Sequence, residues 1–267
     1  EIRINETALV RIIGLTPETR PDHMTTEEMI FFRKINATRI QMGVQHTDKY
    51  VLSKNNRGCY MEDVIRANTN GKNCGFKLDA HLMPQLYGST LEKDEEMFNL
   101  MINHPDLQFE QWKIYPFVVT DWTEISKRGD YVPPYDTNEP YELLMTVKPR
   151  IKRYVRNNRI VRDIPESYDL IGNHMTNRRD ILHKMMDERG LKCNCIRCRE
   201  VKDNKITEKI EQVCSVYKAS QGTEYFISFE TFNYLIGFIR LRLNNNYENT
   251  VNILKDCALI RELHVYS

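Results

Sequence analysis

Two hydrophobic rhythms divide this chain, and the change from one to the other limits its fold more than any other property. Over the first two-thirds, short β-like runs alternate with amphipathic helical runs. Residues 8–15 read as a strand, and residues 25–35 as a helix with a threonine cap and early acids. Strands are expected over 38–44 and 76–83, with helices over 61–74 and 91–102. A strand over 109–119, a helix over 140–147, a strand over 159–164 and a helix over 177–189, closed by Gly190, complete the series. This spacing implies parallel strands joined by right-handed crossovers, in an α/β sheet or barrel whose active face lies at the carboxyl strand ends.

After residue 200 the period becomes two. Residues 225–230, 235–243 and 258–266 alternate as antiparallel strands would. A sheet of these strands alone would expose an edge, so this second unit reads as incomplete. With 267 residues, 41% of them hydrophobic, the chain has room for one large domain or two ordinary ones. Its longest apolar stretch, 114–119, is far too short to cross a bilayer, and the first residues show no apolar leader. Seven cysteines, an odd number without a secretion signal, point to a reducing compartment and to thiols or metal rather than a disulfide framework.

Three of those cysteines, Cys193, Cys195 and Cys198, fall within six residues where the rhythm changes. Thiolates this close can converge on one cation, zinc being the commonest. Spacing alone leaves open a catalytic metal, a structural clip or three unmetallated thiols. Cys59, Cys74, Cys214 and Cys257 are isolated and are expected to be buried or half-buried small hydrophobes. A basic run over 148–162 contains no acid and could neutralise several phosphates, or be an ordinary solvated face.

Five segments, in order, carry a resemblance: LTPETRPD (15–22), FKLDAHLMPQLYGS (76–89), RIVRDIP (159–165), GLKCNCIRCREV (190–201) and IRELHVYS (260–267). Together they resemble the Elongator catalytic-subunit family, whose members join a radical-SAM domain to an acetyltransferase domain and modify wobble uridines of tRNA. The resemblance implies an α/β fold with the C-terminal portion of a radical-SAM (TIM-like) barrel over 1–185. A zinc-binding linker over 186–202 and the N-terminal half of a GNAT α+β domain over 203–267 would follow.

The implied activity is tRNA carboxymethyluridine synthesis, with acetyl-CoA as carbon source, S-adenosylmethionine as radical source and a [4Fe–4S] cluster. In the family the cluster's cysteines precede ETRPD, whereas here no cysteine precedes Cys59, so those ligands are expected upstream. The family's acetyl-CoA phosphate loop follows RELHVYG, and Ser267 stands where that glycine would be.

By resemblance, Cys193, Cys195 and Cys198 hold zinc, and Glu262, Leu263, His264 and Val265 contact acetyl-CoA through a splayed strand. The bland reading of that strand has Leu263 and Val265 facing the core. Arg20, Gln45 and His81, near strand ends, are candidates for the S-adenosylmethionine or uridine pocket, while Asp22 has an alternative role capping the next helix. Lys148, Arg150, Lys152, Arg153, Arg156 and Arg159 are candidate phosphate contacts for a tRNA anticodon stem-loop. Other Elongator-type subunits are implied partners, no membrane is expected, and the expected location is the cytoplasm with a possible nuclear pool. Two competing functions are a protein-lysine acetyltransferase and a catalytically inactive RNA-binding copy.

Overall fold

Apolar side chains at alternate positions of three neighbouring strands decide which face of the main sheet meets the helices. The computed structural model describes residues 2–136, 139–160, 169–171, 178–245 and 251–266. Its first part runs α1 (Ile2–Thr7), β1 (Glu18–Thr19), α2 (Thr26–Lys34), β2 (Arg39–Gln45), α3 (Lys49–Lys54), α4 (Met61–Asn73), β3 (Lys77–Leu82), α5 (Leu91–Asn103) and β4 (Gln111–Ile114). It continues with β5 (Val119–Thr120), α6 (Glu124–Arg128), α7 (Glu139–Val147), β6 (Arg156–Ile160), β7 (Asp169–Ile171), α8 (Arg178–Glu188) and α9 (Ile196–Arg199). The last part is β8 (Glu211–Ala219), β9 (Gly222–Glu230), β10 (Leu235–Asn244) and β11 (Ala258–Val265).

Strands β1, β2, β3, β4 and β6 form one parallel sheet in that order. Ile40, Met42, Val44, Leu78, Ala80, Leu82, Trp112 and Ile114 point to one face and are buried. Helices α2, α4, α5 and α7 cover that face with Met29, Phe32, Val64, Ala67, Met97, Phe98 and Leu144. The helices start where their side chains satisfy free N–H groups. Thr25 accepts from Glu28 N and Thr90 from Lys93 N, both at 3.3 Å. Gly190, with φ +67°, closes α8.

The second part is an antiparallel sheet in the order β11-β10-β9-β8. It lies against the amino ends of the parallel strands, and buried charge pairs join Phe226, Leu235 and Phe238 in the junction. Lys72 and Arg261 both contact Glu110, and Arg261 Nε lies 3.1 Å from Glu224. Arg242 donates to Asn73 Oδ1 at 2.8 Å, Arg240 to the carbonyl of Tyr154 at 2.8 Å, and Lys77 pairs with Glu262. Tyr154 stacks on Tyr217 with centroids 3.7 Å apart. Lys72, Glu110, Glu224, Arg240 and Arg242 are all buried, so each charge depends on its partners.

One insertion arranges this junction. Arg240 faces Glu262 while Leu241 faces Ile260, which leaves Arg261 as an extra residue in β11. The bulge turns Arg261 inward beside Glu262 and throws Leu263 and Val265 outward, 70% and 71% exposed. The expectation that Leu263 and Val265 face the core is therefore reversed.

Other expectations change for physical reasons. Residues 8–15 form no strand: Leu9, Val10, Ile12 and Ile13 are exposed and have no neighbouring strand among the described residues. The run 109–119 breaks into β4 and β5 because Pro116 lacks the N–H a ladder needs. The strand placed at 159–164 begins at Arg156, and 161–164 lie outside the described residues. Strand β8 and helix α3 were not expected. Of the four isolated cysteines Cys59 and Cys74 are buried and Cys257 half-buried, but Cys214, on β8 at the sheet's edge, is exposed. All seven thiols are free, and no helix among the described residues is long and apolar enough to cross a membrane.

Candidate active face and metal centre

With helices on its apolar face, the parallel sheet turns a polar face the other way. Register places Glu18, Gln41, Asp79, Gln111 and Arg156 in one row across five strands. The next row towards the carboxyl ends contains His81, Lys113 and Arg159. A bulge in β6 leaves Asn158 unpaired, and its amide contacts Gln111 Oε1 and lies 3.3 Å from Asp79 Oδ2. Lys113 Nζ donates to Gln41 Oε1 at 2.5 Å.

Asp79 is fully buried and its Oδ1 has no partner. Burial raises its pKa to about 6, against the pull of Lys113 and Arg39. The carboxyl is thus poised to exchange a proton near neutral pH. Burial, and then Lys113, push His81 down to about 4, so its ring is neutral at pH 7. Its Nδ1 lies 3.4 Å from Glu18 Oε1, and its Nε2 has no partner.

Gln45 ends β2 in the left-handed region, φ +68°, a conformation that costs a side-chain-bearing residue about 1 kcal/mol or more. Its Oε1 is buried without a partner. Gly43, two residues earlier, leaves room for these side chains: a Cβ there would lie 2.5 Å from Arg57 Nη2 and 2.8 Å from Gln45 Nε2, displacing both ends. Gln45 and His81 stand at the carboxyl ends of the neighbouring strands β2 and β3, each with an unsatisfied polar atom. Arg20 is near but differently engaged, with its Nη2 2.7 Å from Asp22 Oδ2. Thr25, not Asp22, caps α2, which removes the capping role for Asp22.

Gln41, Asp79, Lys113 and Asn158 are further members of this polar face that the motifs did not reveal. Polar residues at every second position of RIQMGVQ and KLDAHL were the available signal.

The strand with Glu262, Leu263, His264 and Val265 sits at the other end of the parallel sheet. A cavity of about 100 Å³ there is lined by Lys77, Gln111, Arg156, Glu262, His264 and Tyr266, among others. Glu262 is held by Lys77 and Arg240, and the His264 and Tyr266 rings lie 4.2 Å apart. One edge of β11 pairs with β10, and the other has no strand among the described residues.

The three cysteines do converge. The Sγ atoms of Cys193, Cys195 and Cys198 lie within 4.8 Å of one another. Zinc–sulfur bonds of about 2.3 Å put tetrahedral sulfurs about 3.8 Å apart, so modest closure would fit a zinc ion. Cys193 and Cys198 hydrogen-bond to Cys195 and hold its thiol well below the ordinary range while their own are pushed up, so the trio shares one thiolate on Cys195.

His183, on α8, brings Nε2 to 3.9 Å from Cys198 Sγ. Burial and Lys148 lower its pKa to about 4, so it is neutral, and Lys148 Nζ lies 3.1 Å from the same nitrogen. His183 stands outside the three-cysteine cluster, and turning its ring from Lys148 towards the sulfurs would give Cys₃His, the composition of a closed structural zinc site. His183 lies ten residues before the cysteines, too far along the chain for their spacing to reveal it.

The basic run does not form one surface. Lys148 is buried against His183, Arg153 pairs with Glu230, and Arg156 contacts Glu200 and lines the cavity. Lys148 is thereby removed as a phosphate contact, because its ammonium is enclosed. Arg150 reaches Asn99, and it and Arg159 are exposed, with Lys152 half-exposed.

No protein-family model matches the chain. It is 38% identical over 277 residues to a protein of Methanocaldococcus infernus named tRNA uridine(34) acetyltransferase, covering 99% of the chain and 51% of that protein. To the human protein named Elongator complex protein 3 it is 31% identical over 275 residues, 99% of the chain and 50% of that protein. The solved structure of archaeal Methanocaldococcus infernus Elp3 with an N-terminal deletion superposes with a TM-score of 0.90 at 37% identity. That match covers 99% of this chain and 65% of the other. The chain spans about half the length of the curated relatives it matches. Over nearly its whole length, then, the chain is a homologue of the proteins named tRNA uridine(34) acetyltransferase and Elongator complex protein 3.

Proposed function

We propose that this chain is part of an enzyme that modifies the wobble uridine of tRNA, installing a carboxymethyl group with acetyl-CoA and S-adenosylmethionine. The observation that carries the reading is homology along 99% of the chain, with a matching fold, to proteins named for uridine 34 of tRNA and for the Elongator complex. In this reading residues 1–185 are the C-terminal portion of a radical-SAM barrel, 186–202 a zinc-binding linker and 203–267 the first half of a GNAT domain. Sequential parallel strands with a polar inner face suit the first. An antiparallel sheet whose β11 edge is open among the described residues suits the last.

The carboxyl strand ends with Gln45 and His81 would receive S-adenosylmethionine or the uridine, and Asp79, one row below on the polar face, would hold or release a proton. The free edge of β11 would take the pantetheine arm of acetyl-CoA, with His264 at the cavity mouth. Acetyl-CoA, when bound, supplies the carbon to be transferred. Cys193, Cys195, Cys198 and His183 would hold zinc with every position filled, which makes it a clip between the two units rather than a Lewis acid. Among the described residues the three cysteines are the only group of three or more such ligands.

The test uses the protein that carries this chain, given tRNA, acetyl-CoA and S-adenosylmethionine under anaerobic reducing conditions. Mass spectrometry of digested tRNA should show carboxymethylated uridine at position 34. Acetylation of lysine peptides without RNA, and no change in the tRNA, would refute the reading.

A further inference from the structure

A groove of about 720 Å³ runs beside Cys193 and Cys198, between α8, the cysteine turn and the turn joining β9 to β10. Six cations border it: Arg153, Arg179, Lys192, Arg197, Arg199 and Lys202. Two carboxylates, Asp180 and Asp187, stand against them. Glu230 neutralises Arg153 and Arg199. Arg179 donates to the main-chain carbonyls of Asn157 and Asn158 at 3.4 and 3.2 Å. Among the described residues no carboxylate forms an ion pair with Arg179, Lys192, Arg197 or Lys202.

Gathering like charges costs free energy unless a counter-charge binds. The groove also carries an exposed aromatic edge. The Phe232 ring is 87% exposed beside Tyr234, on the turn that overhangs the cations. A single phosphate would not need four cations spread along one groove, and it would have no use for the ring. A phosphodiester strand with bases uses both, since cations track its backbone and aromatic faces stack its bases.

We infer that this groove, rather than the basic run 148–159, is the RNA-backbone track of the protein, with Arg179, Lys192, Arg197 and Lys202 on phosphates and Phe232 stacking a base. Of that run only Arg153 borders the groove. The inference rests on the tRNA reading above and gives it a location. It also explains the metal site's position, since the cysteine turn fixes the loop that presents Lys192 and Arg197.

The experiment titrates a labelled tRNA anticodon stem-loop with the unaltered chain, the double variant Arg197→Glu/Lys202→Glu and the single variant Phe232→Ala, across salt concentrations. Losing two phosphate contacts should lower the slope of log K against log salt by about 1.5 and the affinity at 0.1 M salt by about tenfold or more. Phe232→Ala should weaken binding about fivefold or more with the slope unchanged. Circular dichroism and zinc content establish that each variant is folded. If the double reversal does not fold, Lys192→Gln/Lys202→Gln replaces it, since both side chains are exposed.

Unchanged affinity and slope in a folded variant, while the unaltered chain binds RNA, overturns the groove alone. Loss of binding to a polyglutamate peptide with RNA binding intact would assign the groove to an acidic protein segment and overturn it as well. An unaltered chain that binds no RNA overturns the tRNA reading along with the groove.

Discussion

Replacing Asp79 with asparagine should make the protein more stable at neutral and alkaline pH. Folding raises this carboxyl from its ordinary 3.8 to about 6. Each pH unit corresponds to 1.36 kcal/mol, so keeping Asp79 ionised in the fold costs about 3 kcal/mol. A pKa raised by folding gives stability that is fully present below 3.8 and is lost as pH rises through about 6. At pH 8 the whole cost is felt.

The asparagine keeps an oxygen for the Asn158 amide, 3.3 Å away, and removes the charge. Urea unfolding should therefore show Asp79→Asn more stable than the parent by about 3 kcal/mol at pH 8, with the gap closing near pH 4. His81 acts in the opposite sense: its pKa falls to about 4, so its contribution is lost as pH drops from 6.5 through 4. The two slopes oppose each other in the parent, and the variant keeps only the second, so it should lose stability more steeply on acidification. Equal stability of parent and variant at pH 8 would refute the reasoning, because it would mean that the carboxylate is solvated or fully paired in the fold.

Two further outcomes follow from the junction and the metal centre. His183→Ala should lower zinc affinity about tenfold or more in a chelator competition, and undiminished affinity would show that another group fills the fourth position. Arg261→Met strips Glu110 and Glu224 of a shared buried partner and should cost about 3–5 kcal/mol in urea unfolding, whereas a loss below about 1 kcal/mol would show that Lys72 and Arg242 suffice.

Strands β2 and β3 and helices α2, α4 and α5 were legible because their apolar periods coincide with local caps such as Thr25 and Thr90. The cysteine cluster was legible because its ligands are close in sequence. What could not be read locally depends on partners far along the chain. Residues 8–15 alternate well enough for a strand but have nothing to pair with among the described residues. Strand β8 is mostly exposed and has no apolar stripe, and only pairing with β9 makes it a strand. Lys148 looked like a free cation, yet folding encloses it beside His183, 35 positions away. Asp79 and Asn158 meet across 79 positions, aided by a bulge that no alternation rule anticipates.

The extra residue in β11 also governs which mutations this strand can survive. A strand without the bulge at Arg261 would exchange its two faces from Glu262 onward, because side chains alternate with a strict period of two. A one-codon deletion of Arg261 would instead leave Glu262 and His264 inward and Leu263 and Val265 outward, and would remove the cation that Glu110 and Glu224 share. The strand should therefore accept many substitutions at its outward positions and tolerate loss of one residue in register, while a further residue inserted between 260 and 262 must either widen the bulge or exchange the faces beyond it, turning Leu263 and Val265 towards the charged junction.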